Sequence, residues 1–378
     1  MIEWLLSYYE NLDGVPLVIQ IALVFIVLAI TLTLIAYLSI LRERYIGYIR
    51  TKRQNRINPI IDNLIVTHIV MNEAMQQPKV AEYESVAGHF QIPELQPKWA
   101  RKLLIDRIIN YRKNIRGTVG QALRTLYLDL ELDADTQRKL KSGSWNKKVQ
   151  ALNEYVSMDV PVSDVTLLPL TNSRNRELRA AARHAYIKLS RNEPFKFFDV
   201  VSDNLLMWDQ IELFRIITTT ENIVIPNFAR WITYSTNKSV VSFCLKLAVH
   251  FSQTDAIPAI VRLLATRDHR LRADSIEALG KLGVKEVAND LKGMYHHQPQ
   301  ECQIAILKAL GELRDRTNLE FLLQEFQHAS NFEIRKHAAA AIVAIYSPGA
   351  PELDELLASA KSENQLILKH CMNPLIKY

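Results

Sequence analysis

Cysteine is scarce in this sequence, and the few cysteines lie far apart. The 378 residues include only Cys244, Cys302 and Cys371, which form no CxxC pair and no cluster with histidine. This pattern excludes a disulfide framework and a zinc finger, since both need several cysteines at short spacings. We therefore expect the three thiols to be small buried side chains in a reducing compartment.

Glycine and proline are also few, with 11 and 14 residues respectively. Architectures rich in β-turns need both residue types, so the shortage disfavours them. Alanine, leucine, isoleucine, lysine, arginine and glutamate are abundant instead, and these residues favour helices. The composition therefore predicts an all-α fold.

Motifs for catalysis and for cofactor binding are absent as well. The sequence contains no GxGxxG, GxxxxGKS/T or GxSxG motif and no protein-kinase set. His296 and His297 are adjacent, and neighbouring residues of a helix point about 100° apart, so they cannot easily share a metal ion. Asp133 and Asp135 begin a helix, where capping explains them better than calcium binding does. We expect no catalytic residue, no cofactor and no metal site.

Charge is absent from residues 15–41, VPLVIQIALVFIVLAITLTLIAYLSIL. A helix needs about 20 residues to cross the hydrocarbon core of a bilayer, and this run is longer. A buried core helix is rarely apolar on every face over such a length. A signal peptide would have a basic start and an apolar core of about 7–15 residues. We therefore predict a transmembrane helix over residues 15–41.

Basic residues are absent before this run and frequent directly after it. The preceding tail, residues 1–14, holds three acidic residues and no basic residue. The basic residues that follow, with Glu43 as the one acid among them, are Arg42, Arg44, Arg50, Lys52, Arg53 and Arg56. Because basic flanks stay in the cytoplasm, we predict a single-pass protein with its N-terminus outside and its C-terminal domain inside. The six basic side chains are expected to face anionic lipid of the inner leaflet.

The excess of basic residues continues to about residue 196. Residues 42–196 contain 27 basic and 16 acidic residues, whereas residues 197–378 contain 19 and 21. A basic segment close to a membrane is attracted to anionic lipid by about 1 kcal/mol for each Lys or Arg near the surface. Binding of nucleic acid or of an acidic protein is the alternative explanation.

A hydrophobic pattern recurs at intervals of about 31 residues. The segment LRADSIEALGKLG, from Leu271, has its apolar residues at the spacing of one helix face. Similar segments are LRAAARHAYIKLS from Leu178, CQIAILKALGELR from Cys302 and IRKHAAAAIVAI from Ile334. Self-similarity at this period, with two helices in each unit, indicates an α-solenoid.

A polar pattern lies in the same register as the hydrophobic one. An Asn or Asp four residues before an Arg would cap the following helix by accepting bonds from its free N–H groups. The Arg could pair with the equivalent side chain of the neighbouring repeat. The pairs are Asn175 with Arg179, Asp268 with Arg272 and Asn331 with Arg335, while Asn237 lies in phase without an Arg.

These residues resemble a known family. LRADSIEALGKLG, with its Asp268 and Arg272 and the preceding AIPAIVRLL of residues 256–264, resembles HEAT repeats of the short bacterial HEAT-like kind. The resemblance covers about residues 145–345. The segment LYLDLELDADTQRKLKSGSWNKKVQALNEY, from Leu126, is similar to the unit that opens the array in bacterial membrane-anchored HEAT proteins. The sequence departs from the pattern at Gln303, where an Arg is expected, and in residues 204–236, where the repeat is degenerate.

The resemblance implies a domain organisation and a function. We expect a tail over residues 1–14, the transmembrane helix over 15–41, a basic helical connector over 42–128, and a HEAT-type solenoid of about six helix pairs with a C-terminal cap over 129–378. Such a protein would lie in the bacterial inner membrane as a scaffold that binds a protein partner. A membrane glycosyltransferase of an envelope polysaccharide-synthesis machine is the partner that the resemblance suggests.

Two other functions remain open at this point. Some HEAT-like solenoids are enzymes, such as bilin lyases and a family of DNA glycosylases, and a glycosylase would need aromatic residues in a basic groove. Trp145, Trp208 and Trp231 could supply them, although packing on a helix face explains them better. A nucleic-acid-binding module is the other alternative, and it predicts binding that weakens steeply with salt.

Overall fold

The protein is helical throughout the part of the chain that a computed structural model describes. That part comprises residues 16–71, 86–115, 117–221, 223–346, 349–373 and 375–376. No β-strand occurs among these residues, which confirms the all-α prediction. The predicted tail over residues 1–14 lies outside the described residues. The chain divides into two compact units between Thr136 and Gln137, and each is described by itself.

The first unit begins with one long helix, α1, which spans Leu17–Ile65 and has 49 residues. Its N-terminal half is the apolar run, whose side chains are exposed, and it is long and apolar enough to cross a membrane. The helix continues past residue 41 because the charged segment that follows consists mostly of helix-forming residues. The first proline inside it is Pro59. The predicted membrane segment is therefore the first part of a helix about 73 Å long.

A π-helical turn, Val66–Val70, extends the end of α1. Five further helical elements follow among the described residues of this unit: 3-10 helices over Val86–Phe90 and Pro93–Leu95, α2 over Lys98–Asn114, α3 over Thr118–Asp129, and α4 over Leu132–Leu140, which runs across the unit boundary. Helices α2 and α3 are separate because Ile115 is extended and Gly117 has a φ of +81°, a value that favours glycine.

An apolar seam joins α1 to α2. Four isoleucines spaced four residues apart lie on one face of α1 and its π-helical extension, and all are buried: Ile57, Ile61, Ile65 and Ile69. The buried face of α2 supplies Leu104, Ile105, Ile108 and Ile109. Residues three and four apart share one face of a helix, so these spacings bring two continuous apolar stripes together.

A bidentate ion pair lies beside this seam. The Arg107 guanidinium donates to both oxygens of Asp62, at 2.5 Å each, and the Tyr111 hydroxyl donates to the same carboxylate at 3.1 Å. The hydrogen bonds from Arg107 lower the pKa of the Asp62 carboxyl below its ordinary value, against the opposing effect of burial. The pair therefore fixes the angle at which α2 packs on α1.

In the second unit, shorter first helices alternate with longer second helices. We call the shorter helix of each pair its first helix and the longer one its second helix. The first helices are α6 (Asp164–Leu167), α9 (Ala229–Tyr234), α11 (Ile257–Arg262), α13 (Ala288–Met294), α15 (Leu319–His328) and α17 (Pro351–Ser359). Between α6 and α9, a 3-10 turn, Lys196–Asp199, takes the place of a first helix. The second helices are α5 (Trp145–Met158), α7 (Arg176–Leu189), α8 (Met207–Thr219), α10 (Lys238–His250), α12 (His269–Lys281), α14 (Gln300–Leu313), α16 (Phe332–Tyr346) and α18 (Ser362–Cys371).

The second helices begin at nearly constant intervals. From Trp145 to Gln300 each begins 31 residues after the one before, and the last two intervals are 32 and 30 residues. Each second helix contacts the next along the chain. The degenerate stretch of residues 204–236 keeps this interval, because α8 begins at Met207.

Small residues let three second helices approach closely. A Cβ added to Gly280 of α12 would lie 2.5 Å from the Cα of Ala309 in α14. A Cβ added to Gly311 of α14 would lie 2.8 Å from the Cα of Ala341 in α16. Both glycines are therefore required by the packing of one helix backbone on the next.

Aromatic side chains fill the core beside the degenerate stretch of residues 204–236, which itself contributes Phe228 and Trp231. The buried rings are Phe195, Phe197, Phe198, Phe228, Trp231 and Phe243, and neighbouring ring centroids lie 4.4 to 6.4 Å apart. The Trp231 indole N–H donates to Asp199 at 2.6 Å, which satisfies its one polar group.

Substitution of either packing glycine by alanine is expected to destabilise the protein. The added methyl group of Gly280→Ala or Gly311→Ala meets backbone of the neighbouring helix, and overpacking of this kind costs about 1–3 kcal/mol. Gly293 in α13 is the control, since it is exposed and a Cβ there has no neighbour within 4 Å. Gly293→Ala should be neutral or stabilising by up to about 1 kcal/mol. Urea unfolding of the full-length chain in mild detergent measures both; equal midpoints for Gly280→Ala and Gly293→Ala would refute the close packing.

Replacement of Asp62 by asparagine is expected to destabilise the first unit by about 1–2 kcal/mol at neutral pH, since charged hydrogen bonds of a partly exposed pair are lost. The folded pKa of Asp62 lies below its ordinary value of 3.8, so its contribution is complete above that pH and is lost as the pH falls through the folded pKa. The difference in unfolding free energy between wild type and Asp62→Asn should therefore be constant from pH 7 to about 5 and shrink below about 4. A difference that stays constant down to pH 3 would contradict this assignment.

Candidate interaction surface

The predicted capping residues lie at the beginnings of four second helices. In each case the side-chain oxygen accepts a hydrogen bond from a main-chain N–H two or three residues further on, at 2.8 to 3.4 Å. The four residues are Asn175, Asn237, Asp268 and Asn331. Such bonds satisfy N–H groups that have no partner inside the helix.

The arginines of the same pattern do not pair with the equivalent capping residue of the neighbouring repeat; they contact other side chains. Arg179 contacts Asp203 at 3.3 Å, Arg272 donates to the Gln298 side chain, and Arg335 donates to Glu363 at 2.8 Å. Each partner lies 24 to 28 residues further along the chain, close to the beginning of the next second helix. The physical reason is that the residues at the capping position of the next second helices, Leu206, Pro299 and Lys361, offer no side-chain acceptor.

The arginines also bind their own repeat. Arg179 donates to the Ser173 carbonyl at 2.9 Å, and Arg272 donates to the Thr266 carbonyl at 3.1 Å. Each therefore joins the turn before its own helix to the turn before the next one. The capping residue Asp268 takes part in a further link, because Lys238 of the preceding second helix contacts its other oxygen at 2.6 Å.

The predicted membrane-surface residues lie along α1 beyond the apolar run, and all six are exposed: Arg42, Arg44, Arg50, Lys52, Arg53 and Arg56. The structure separates them into two groups. Arg50 and Arg53 line a groove between α1 and α2, where the Arg53 guanidinium lies 5.0 Å from the centre of the Trp99 ring. The other four do not line this groove.

The second helices share one outer face, which we call the second-helix face and which carries Gln210, Ser242, Lys246, Asp274, Glu277 and Lys308. Over much of its length, side chains of neighbouring helices pair with each other. Lys246 donates to Gln210 at 2.9 Å, and Ser242 donates to Asp274 at 2.5 Å. Further along, Lys308 and Glu277 contact each other at 3.4 Å. Polar groups along this stretch thus satisfy one another.

Helix α8 interrupts this polar surface with an apolar patch, which consists of Leu206, Met207, Trp208 and Ile211. All four side chains are exposed, and the Trp208 side chain is 66% exposed. Large exposed apolar groups in contiguous positions are unusual on a monomeric soluble surface and mark sites of interaction. Tryptophan in particular is enriched among the residues that dominate binding energy at interfaces.

The register of the repeat shows how unusual Trp208 is. It is the second residue of its helix, and the second residue of every other second helix is polar. These equivalents are Asn146, Glu177, Ser239, Arg270, Glu301, Glu333 and Glu363. The packing of the repeat therefore does not call for a tryptophan here. Our expectation that packing explains the three tryptophans applies to the buried Trp231, but Trp145 and Trp208 are exposed.

No protein-family model matches this chain, and no curated protein is significantly similar to it. A function must therefore be inferred from the residues and their arrangement in the structure. The two features that stand out are the apolar patch on α8 and the basic flank of α1.

The surroundings of the apolar patch contain ionisable groups that are largely paired or neutral. Glu212 and Arg215 form an ion pair on the same helix at 2.7 Å. Burial, together with the nearby cations Lys188 and Arg215, lowers the pKa of His184 to about 4, so this side chain is neutral at physiological pH. An apolar side chain of a partner could thus contact the patch without stripping water from an unpaired charge.

The remaining candidate chemical groups lie apart from one another. Within the described residues, no group of three or more His, Cys, Asp or Glu side chains could hold a metal ion. His296 and His297 lie exposed in a 3-10 turn over Tyr295–His297. Cys244, Cys302 and Cys371 are buried, and burial raises the pKa of the Cys244 and Cys302 thiols, which disfavours the reactive thiolate.

Proposed function

We propose that this chain is a membrane-anchored cytoplasmic scaffold of the HEAT-like α-solenoid type, which binds an acidic protein partner through the apolar patch on α8. The exposed Trp208, at a position that is polar in every other second helix, is the observation that carries this proposal. The partner inserts an apolar side chain between Trp208, Met207 and Ile211. The polar stretches of the second-helix face then surround this contact.

The helix intervals support the solenoid. Second helices that begin every 31 residues and contact one another in order bury a continuous core, as stacked repeats do. The close contacts at Gly280 and Gly311 repeat with the same period, one from α12 to α14 and one from α14 to α16. The polar links made by Arg179 and Arg272 join successive repeats as well.

Charge supports an acidic partner. Residues 137–196 of the second unit contain 12 basic and 5 acidic residues, and this stretch ends shortly before α8. Complementary charge speeds the encounter of two proteins and fixes their orientation, while desolvated apolar contacts supply most of the affinity. A membrane glycosyltransferase of envelope polysaccharide synthesis is the partner that the resemblance to bacterial anchored HEAT proteins favours.

The apolar run of α1 supports the anchor. None of its described residues, 16–41, is buried, and a helix with no charge over some 25 residues is stable in lipid and poorly soluble in water. The basic flank that follows it favours an orientation with residues from 42 onward in the cytoplasm and the N-terminus outside. The anchor then confines the scaffold to the membrane in which its partner lies.

Truncation of the apolar patch is expected to abolish partner binding. The tagged full-length chain is purified in mild detergent from the cells that make it, and the proteins that copurify are quantified. The double variant Trp208→Ala/Ile211→Ser should lose a specific partner at least tenfold, since hot-spot side chains contribute about 2 kcal/mol or more each. Tyr234→Ala is the matched control, because Tyr234 is an 80% exposed aromatic residue on the first helix α9.

Two results would overturn the scaffold proposal. One is equal recovery of the partner by wild type, the double variant and Tyr234→Ala. The other is copurification of nucleic acid instead of protein, with loss on raising the salt concentration, which would favour the nucleic-acid-binding module. Circular dichroism of the variants confirms that any loss of binding does not come from unfolding.

The anchor predicts a specific labelling pattern. Ser7→Cys and Arg44→Cys place one thiol on each side of the apolar run in the sequence, while the three native cysteines are buried. In right-side-out membrane vesicles, an impermeant maleimide should label Ser7→Cys and spare Arg44→Cys, and inside-out vesicles should give the reverse. The intact chain should have a mass of 43.4 kDa before labelling. A shorter chain that has lost its apolar run would identify a cleaved signal peptide, and the reverse labelling would overturn the orientation.

A further inference from the structure

A groove lies between α1 and α2, directly beyond the apolar run. It encloses about 570 Å³, and both of its walls belong to the first unit. The wall from α1 presents Ile46, Ile49, Arg50 and Arg53, and the wall from α2 presents Trp99 and Lys102. The groove therefore combines an apolar surface with cations.

The charge of the groove suits a phosphate group. The lining contains three cations and one carboxylate, so it carries a net charge of +2; these residues are Arg50, Arg53, Lys102 and Asp106. Guanidinium groups bind phosphate in a planar, bidentate manner, and a lysine adds a compact positive charge. The Arg53 guanidinium is held in the groove without a ligand, because it lies over the Trp99 ring, 5.0 Å from the ring centre.

The apolar part of the groove suits a lipid. Ile46 and Ile49 continue the exposed apolar surface of α1, and Leu103 lies opposite them on α2. Tryptophan is enriched at the level of lipid headgroups, because its ring is apolar and its N–H is polar. A soluble phosphate compound would not use this apolar wall, whereas the glycerol and the upper acyl chains of a phospholipid would.

The position of the groove along α1 also suits a lipid. At 1.5 Å per residue, Ile46 lies about 7 Å and Arg50 about 13 Å beyond Leu41, the last residue of the uncharged run. The headgroup layer on each side of a bilayer is about 5–7 Å thick, and electrostatic attraction extends about 8 Å further at physiological ionic strength. The apolar end of the groove thus lies at the outer edge of the headgroup layer of the proposed anchor, and Arg50 lies within electrostatic reach of it. The backbone of Arg53 lies about 18 Å beyond Leu41, so its long side chain must extend back toward the bilayer to share a phosphate with Arg50.

The walls of the groove are held in place by contacts away from it. The isoleucine seam of α1 packs on α2, and the bidentate pair of Arg107 with Asp62 fixes the two helices beside it. A preformed site loses little conformational entropy when its ligand binds. The same basic residues on an isolated helix would attract lipid only diffusely.

We infer that this groove is a binding site for one anionic glycerophospholipid of the inner leaflet, with the phosphate on Arg50, Arg53 and Lys102 and the glycerol backbone against Ile46 and Trp99. This inference rests on the proposed anchor and adds to it a specific lipid site. It also distinguishes Arg50 and Arg53 from the other basic residues of the flank.

The test uses the full-length chain in nanodiscs of equal parts phosphatidylglycerol and phosphatidylcholine. The protein is released into mild detergent, and native mass spectrometry counts the lipids that stay bound. Wild type should retain one phosphatidylglycerol, and Arg50→Gln/Arg53→Gln should retain at least tenfold less. Lys52→Gln/Arg56→Gln is the matched control, since it removes the same charge from the same helix outside the groove and should retain the lipid as wild type does.

A second variant keeps the test independent of changes in α1. Lys102→Gln alters only α2, where Lys102 is exposed, and should lower phosphatidylglycerol retention severalfold without a change in thermal stability. Equal loss in the groove variant and in the control would mean diffuse attraction and overturn the site. A chain that enters nanodiscs but retains no phosphatidylglycerol overturns the site alone, whereas a chain that does not enter them overturns the anchor as well.

Discussion

The burial of one apolar face on each second helix is the constraint on which the second unit depends. A single amphipathic helix pair cannot remove that face from water, so each second helix packs against the next. Gly280 and Gly311 show how tight this packing is, because neither position has room for a methyl group. The same constraint leaves the opposite face free to vary. Trp208 lies on that variable face, and because its side chain is exposed it is not part of the buried core.

Periodicity made part of this structure predictable. The apolar spacing predicted the helices around Leu178, Leu271 and Ile334, and residues that can cap a helix stand directly before them. The stretch of residues 204–236 could not be read in the same way, because the residue before α8 is Leu206 instead of Asn or Asp, and because Phe228 and Trp231 take part in an aromatic cluster. The apolar patch was overlooked because each tryptophan was judged by itself. Comparison with the polar residues at the equivalent position, such as Glu177 and Arg270, would have shown that Trp208 is out of place.

The basic flank shows a different limit of sequence analysis. Counting charge treats Arg50, Lys52 and Arg53 alike, and it predicts only a general attraction to anionic surfaces. Which of them share a groove depends on the partner helix α2, whose Trp99 and Lys102 come about 50 residues later. That pairing follows from the isoleucine seam and from Asp62 with Arg107. Neither of these could be recognised before the two helices were known to pack.

The continuity of α1 has a mechanical consequence. No loop separates the apolar run from the isoleucine seam, so the helix acts as a lever rather than as a flexible tether. From Leu41 to Ile65 the arm is about 36 Å long, and a 10° change in the tilt of the apolar run would move its far end by about 6 Å. Helices α2 and α3 must move with that end. With the proposed anchor in place, a change in membrane thickness would thereby be converted into a displacement of the helices that pack on the end of α1.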